Sequence, residues 1–224
     1  MVKIVLVSDL HGRPLTTQSA DVLIAAGDMT EHGQEDEFIE LNRWFGAQPQ
    51  ALKIYVPGNH DILAYRNPAL VREILSNAVV LIDEEIEVSG SRIYGSPWVR
   101  SNDSDWAFPL MDGTNRAKEK WAEIPEGLDI LVTHGPPYGI GDRSRRTREH
   151  VGDGLLLNRL RAMTARPAVH VFGHIHEGER VTGKLEMLFV NASICDEHGQ
   201  AVKTPVVIER NLDGCWKVLD SSGS

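Results

Sequence analysis

The sequence predicts a layered α/β fold with its chemistry gathered at the ends of strands. Five apolar, β-rich runs each break into a loop that carries Asp, Asn or His, as buried strands do on leaving a sheet. Between several of them stand stretches with apolar residues at helical spacing. The order at the N-terminal side is strand, strand, helix, strand, helix, the alternation of an α/β domain. Loops at strand ends are where such domains place their active groups.

Residues 3–7, Lys-Ile-Val-Leu-Val, form a continuous run expected to be buried on both faces, and lead into Ser8-Asp9-Leu10-His11-Gly12. Asp9 and His11 stand two apart, so in extended backbone both side chains would leave on one side and reach one ion. Residues 21–26 repeat the pattern and end in Gly27-Asp28. Residues 35–45 place Phe38, Leu41, Trp44 and Phe45 at helical spacing behind an acidic first turn, which suits the helix dipole. A third strand over 53–56 breaks at Pro57 and opens into Gly58-Asn59-His60-Asp61. A second helix is expected over 68–76, with Leu70, Val71, Ile74 and Leu75 inward.

From 79 to 98 the pattern turns to short strands, 79–82, 85–88 and 92–94, with a hairpin at Ser89-Gly90-Ser91. The irregular stretch to Gly113 holds Trp98, Trp106, Phe108 and Pro109. Such aromatics pin a long connection to the body of a domain; the alternative is a wall or lid beside the site. A helix over 115–122 precedes a strand over 128–132, which ends in Thr133-His134-Gly135-Pro136-Pro137. An arginine-rich run over 142–148 and a helix over 154–163 follow. The strand over 167–172 ends in Gly173-His174-Ile175-His176, whose histidines again stand two apart and are expected on one side. Residues 185–192 and 204–219 read as antiparallel strands around turns such as Asp213-Gly214. The expected organisation is one domain over residues 1–220 and a flexible tail over 221–224.

Composition narrows the class. At 224 residues the chain suits a domain with a substantial core, and 42% hydrophobic with 25% charged residues is the usage of a soluble globular protein. A formal charge of -9 argues against general nucleic-acid binding. Cys195 and Cys215 fit neither a zinc spacing nor a disulfide framework. No apolar run is long enough for a membrane span, and the N-terminus lacks the features of a signal peptide, so a cytoplasmic location is expected.

Together the strand ends carry Asp9 and His11, Asp28, Asn59 and His60, His134, and His174 and His176. Oxygen and nitrogen donors without thiolate suit Mn²⁺, Fe, Ni²⁺ or Zn²⁺ better than Mg²⁺ alone. They are too many for one ion and enough for two if one carboxylate bridges, whereas a structural zinc needs four ligands and favours Cys. In Asp9-Leu10-His11, Gly27-Asp28, Gly58-Asn59-His60-Asp61, His134 and Gly173-His174-Ile175-His176, the sequence resembles the calcineurin-like metallophosphoesterases, whose five blocks follow in this order. Gly95-Ser96-Pro97-Trp98 and residues 130–137 are similar to the subgroup of metallophosphoesterase-domain-containing proteins.

The resemblance implies a four-layer αββα sandwich of two mixed β-sheets flanked by helices, with two divalent ions at the strand ends. Mn²⁺ is the first choice, with Fe, Ni²⁺ or Zn²⁺ as alternatives. It implies that Asp9, His11 and His176 hold one ion, that Asn59, His134 and His174 hold the other, and that Asp28 bridges. It also places His60 near the leaving group. Two ions roughly 3.5–4 Å apart polarise a phosphoryl oxygen and acidify a shared water, whose hydroxide attacks phosphorus in line. His60 would then protonate the departing oxygen or stabilise its charge, with Asp61 orienting the imidazole.

The expected activity is therefore that of a metal-dependent phosphodiesterase acting on a small phosphodiester such as a cyclic nucleotide. A phosphomonoesterase or nucleotide pyrophosphatase with the same site is the alternative enzyme, and a metal-binding scaffold protein the alternative outside catalysis. Arg143, Arg145, Arg146 and Arg148, with His150 beside them, form either a solvated surface loop or a lining that binds anionic substrate through paired hydrogen bonds. His170 reads as a structural residue, His198 as part of a surface turn, and His32 as a residue that lines the site or lies outside it. The expected partner is a small phosphate ester, with no membrane and no nucleic acid; the oligomeric state stays open.

Overall fold

The computed structural model describes residues 1–219 apart from Ser104, Arg146 and Glu197, so the expected tail over 221–224 lies outside the described residues. The chain opens with β1 (Val2–Val7) and β2 (Val22–Ala26), then α1 (Glu35–Ala47) and β3 (Leu52–Val56). After β3 come α2 (Ile62–Arg66), α3 (Pro68–Ile74) and the two-residue β4 (Val79–Val80). α2 has no counterpart in the sequence reading, because five residues are too few to show a helical period. β4, β3, β2 and β1 pair in that order, all parallel.

The chain then crosses to a second sheet. β5 (Glu84–Val88) and β6 (Ser91–Ser96) make an antiparallel hairpin. Ser89 and Gly90, at φ 51° and 73°, supply its two-residue turn. β7 (Val99–Arg100) and β8 (Pro109–Leu110) tie the two ends of the aromatic connection together. α4 (Asn115–Ala122), β9 (Ile130–Thr133), α5 (Gly154–Ala162) and β10 (Val169–Phe172) follow, then β11 (Val181–Lys184) and β12 (Met187–Asn191). In this sheet β6, β9, β10 and β12 run parallel, with β5 and β11 antiparallel at the edges. β13 (Val206–Arg210) and β14 (Trp216–Leu219) return to the first sheet as antiparallel strands beside β1. Both sheets are therefore mixed.

Alternate residues of each central strand serve different layers. Ile4 and Leu6 of β1 pack with Ile54, Val132 and Val171 between the sheets. Val5 and Val7 belong instead to the cluster that holds Phe38 and Phe45 of α1 and Tyr55 of β3. This two-sided burial is why the strands read as continuous apolar runs. Each such side chain removed from water contributes about 1.5–3 kcal/mol, which makes these strands a firm base for the loops at their ends. No described helix is long and apolar enough to cross a membrane.

Candidate metal centre

β1, β2, β3, β9 and β10 release their chains at one edge of the molecule, and the seam between the sheets runs through that edge. His134, just after β9, donates from Nδ1 to the carbonyl of Ala26 at the end of β2, at 2.8 Å. The Ile194 amide donates to the Ser8 carbonyl across the same seam, at 3.0 Å.

The loops do not continue the strands in extended form. Asp9, His11, Asp28 and His174 take φ of 56°, 48°, 52° and 68°. The amides of Asp9 and His11 donate to the carbonyls of Gly27 and Asp28, so the β1 loop follows the curl of the β2 loop. The expectation that Asp9 and His11 converge because extended backbone points both one way is thus corrected: they converge through left-handed turns. For His174 and His176 the same expectation fails outright. The turn at His174 sends its ring to Asp28 and His134, while His176 goes to Asp9 and His11. Two glycines let the loops approach. A Cβ on Gly58 would stand 2.3 Å from Asp28 Oδ1, and one on Gly173 would stand 2.3 Å from Asp9 Oδ2, well inside contact distance.

Three groups result, two of them made of ligand candidates alone, while the third joins His11 and His60 to Glu31. Asp9, His11 and His176 bring one ligand atom each within 4.8 Å of one another, and so do Asp28, His134 and His174. Asn59 joins the second cluster, its Oδ1 3.0 Å from His134 Nε2. His134 and His176 each give Nδ1–H to a backbone carbonyl, Ala26 and Asp196, which turns Nε2 toward the carboxylates. His134 Nε2 then lies 3.0 Å from Asp28 Oδ2, and His176 Nε2 lies 3.3 Å from Asp9 Oδ1. A neutral ring places a lone pair against oxygen there, so each position calls for a cation, a proton or a metal ion. Both ring nitrogens of His11 are buried without a hydrogen-bond partner. The donor set therefore fits divalent ions.

The electrostatics agree. Burial alone would raise the Asp9 and Asp28 carboxyls, yet His176 and His134 foremost hold them below the usual carboxylate value. Burial would lower His134, but Asp28 beside it raises the imidazole to about 9. His174 is pushed down to about 4, chiefly by burial.

The family model for calcineurin-like phosphoesterases matches residues 2–178. The chain belongs to the calcineurin-like phosphoesterase family. It is 39% identical over 232 residues to metallophosphoesterase domain-containing protein 1 of Homo sapiens, covering 92% of this chain and 70% of that protein. The protein of the same name from Mus musculus matches equally. One solved structure shares the fold with a TM-score of 0.69 at 15% identity, over 98% of this chain and 99% of that one. The calcineurin-like phosphoesterases are metal-dependent enzymes, which accords with the two clusters.

Beyond the ligand candidates, this calcineurin-like chain holds His60 half-buried, its ring 4.8 Å from that of His11. His60 Nδ1 donates to the Glu31 carbonyl at 2.8 Å, and its amide donates to Asp28 Oδ1 at 2.7 Å. Asp61 does not orient the imidazole, contrary to the sequence expectation. Its buried carboxylate is taken up by the amides of Gly58, Asp28 and Thr30 and the Thr30 hydroxyl, at 2.7–3.0 Å. It clamps the β2 loop to the β3 loop. The residues that hold His60 are Glu31 and, behind it, Glu37, which accepts from the amides of Glu31, His32 and Gln34. Sequence analysis missed Glu31, because a carbonyl contact leaves no mark in a sequence; its closeness in the chain to Asp28 is the one signal that could have found it.

Arg143, Arg145, Arg148 and His150 line a cavity of about 720 Å³ that no ligand candidate lines, and Arg146 lies outside the described residues. His150 is held by Asp142 at 2.6 Å. From the same loop, Ser144 and Thr147 line a second cleft that reaches His174. His32 lines a third, beside His60. His170 is buried within its strand, 2.8 Å from the Thr133 hydroxyl.

Proposed function

We propose that the protein is a phosphodiesterase that hydrolyses a small phosphodiester with the help of two divalent ions, Mn²⁺ in the first place. Asp9, His11 and His176 would hold one ion, Asn59, His134 and His174 the other, with Asp28 between them. The observation that carries the reading is the pair of abutting clusters, in which oxygens face imidazole nitrogens that backbone carbonyls have already oriented. When bound, such ions supply Lewis-acid polarisation of the phosphoryl group and a nucleophilic water at neutral pH.

The chain's own groups do the rest. A water oxygen bonds to phosphorus as the P–O bond to one ester arm breaks in line with it; that arm departs as an alcohol, and a phosphomonoester of the other arm remains. His60, with Nδ1–H fixed on Glu31, directs Nε2 toward the departing oxygen. Once protonated, Nε2 gives that oxygen its proton or stabilises its charge. Asp61 keeps Asp28 and Gly58 in register while this happens.

The test is a panel of bis-p-nitrophenyl phosphate, p-nitrophenyl phosphate and 2′,3′- and 3′,5′-cyclic nucleotides, each with Mn²⁺, Fe²⁺, Ni²⁺ and Zn²⁺. Diester turnover above monoester turnover is expected. Preference for the monoester would favour a phosphomonoesterase, and no turnover with any ion would favour a scaffold.

A further inference from the structure

Trp106 stands between two clefts that flank the centre. A cavity of about 380 Å³ on one side reaches His174, with Asn102, Asp103 and Thr147 in its wall. A cavity of about 230 Å³ on the other side reaches Asn59 and His60, with Glu31 and Asp105 in its wall. Among the described residues, Trp106 is the one that both linings share. The indole is held there. The Ala107 amide donates to the Asn59 carbonyl at 2.9 Å, and the Trp106 ring meets that of His174 edge-on, with centroids 5.3 Å apart.

Charge narrows what the clefts accept. Arg100 is the one Arg or Lys among the described residues lining either of them, and Asp112 already holds it, 2.7 Å from Nε. Asp103 and Glu177 line the larger cleft, which shares Ser144 and Glu177 with the arginine-lined cavity, and Glu31 and Asp105 line the smaller together with His32 and His60. A second phosphate would meet carboxylates on either side, whereas an uncharged ring would meet the indole. The larger cavity falls within the roughly 300–1,000 Å³ of ligand pockets, and the smaller falls below it.

We infer that Trp106 sorts the two ester arms of the substrate: an uncharged aromatic arm stacks on the indole in the larger cleft, and the leaving arm occupies the smaller cleft beside His60. The preferred substrate is then an acyclic phosphodiester with neutral arms. A cyclic diester carries both ester oxygens on one sugar and cannot be parted by a wall, and a polyphosphate brings charge to the carboxylates. This inference rests on the phosphodiesterase reading.

Phenyl p-nitrophenyl phosphate and methyl p-nitrophenyl phosphate share a leaving group and differ in the retained arm, so their kcat/KM ratio reads the larger cleft. Stacking on an aromatic side chain predicts a wild-type ratio of about 5–150 in favour of phenyl. Trp106→Ala should bring the ratio to within threefold of unity, and Trp106→Phe should restore most of it. Calorimetry on the Mn²⁺-loaded protein with phenyl phosphate and methyl phosphate should give the same ratio in Kd, lost in Trp106→Ala. Ratios that Trp106→Ala leaves unchanged overturn the inference while the phosphodiesterase reading stands. Faster turnover of a 3′,5′-cyclic nucleotide than of the phenyl diester also overturns it. A wild type that hydrolyses no diester overturns the phosphodiesterase reading instead, and the Kd ratio then still decides whether the indole is the stacking surface.

Discussion

Asp61→Asn separates holding a loop from acting on a base. In the wild type Oδ1 accepts from the amide and hydroxyl of Thr30, and Oδ2 from the amides of Asp28 and Gly58. An asparagine must present its NH₂ to one of these pairs. Turned toward Thr30, it can donate to the hydroxyl, which rotates to accept, and only the Thr30 amide is left unpaired. Turned the other way, it strands two backbone amides, so the first orientation wins. One buried donor without a partner costs about 1–3 kcal/mol, and because burial and Asp28 raise the Asp61 carboxyl, the loss of its charge adds little to this. Urea unfolding at pH 7 measures this directly. A change under 0.5 kcal/mol would refute the assignment of the Asp61 carboxyl group as the clamp. Activity distinguishes the roles: if Asp61 worked through His60, its effect on kcat would vanish in a His60→Ala background. A clamp on Asp28 and Gly58 predicts that the two losses multiply, and a cycle of single and double variants reads which holds.

Asp28→Asn should lower the content of both ions, since this carboxylate faces the rings of both clusters, and metal analysis showing one ion lost and the other retained would contradict a shared ligand. His60→Ala should keep the ions and lower kcat by roughly 10²–10⁴, with a smaller loss for p-nitrophenyl than for alkyl leaving groups; an equal loss would point to positioning alone. His170 supplies a pH test. Burial pushes its imidazole from 6.5 to about 3, so the folded protein keeps it neutral while the unfolded chain takes up a proton below pH 6.5. Its contribution is complete above that pH and declines by about 1.4 kcal/mol per pH unit on going down toward 3. His170→Gln should therefore flatten the dependence of urea midpoints on pH between 6 and 4.5 by one proton, and an unchanged slope would refute the neutral buried ring.

Much of the fold was legible because strands buried on both faces cannot hide their composition: residues 3–7, 21–26 and 53–56 read as strands and are β1, β2 and β3 to within two residues. The helix over 115–122 is α4, started by Thr114, whose hydroxyl accepts from the Ala117 amide. The candidate site was legible as a list of residues and not as a conformation. Spacing of two suggested a shared direction at Asp9 and His11 and at His174 and His176, but φ is set by hydrogen bonds to the neighbouring loop, which residue order does not record. The aromatic connection is pinned by some of its residues and not by others. Trp98 and Phe108 are buried in the body, while Trp106 is half-buried against His174. The arginine run shows the same limit, since adjacency in sequence to a ligand candidate does not say which cavity a side chain enters.

The left-handed turns at Asp9, His11, Asp28 and His174 bear on how this enzyme could be improved or degraded. Conformations of this kind cost about 1–3 kcal/mol each, and here they fall on residues whose side chains also crowd like charges and desolvated rings together. Among the described residues the candidate centre thus holds four of the ten non-glycine positions with positive φ, the others being Asp83, Ser89, Phe108, Arg148, Leu185 and Glu186. Ligands that bind only the folded form raise stability by mass action, about 4 kcal/mol at a thousand times Kd, so divalent ions at these positions would offset much of that burden. Selection for thermal tolerance alone, carried out without metal, would therefore favour glycine or asparagine at these four positions and remove the centre while strengthening the fold. A stabilised variant of this protein has to be sought with the ions present.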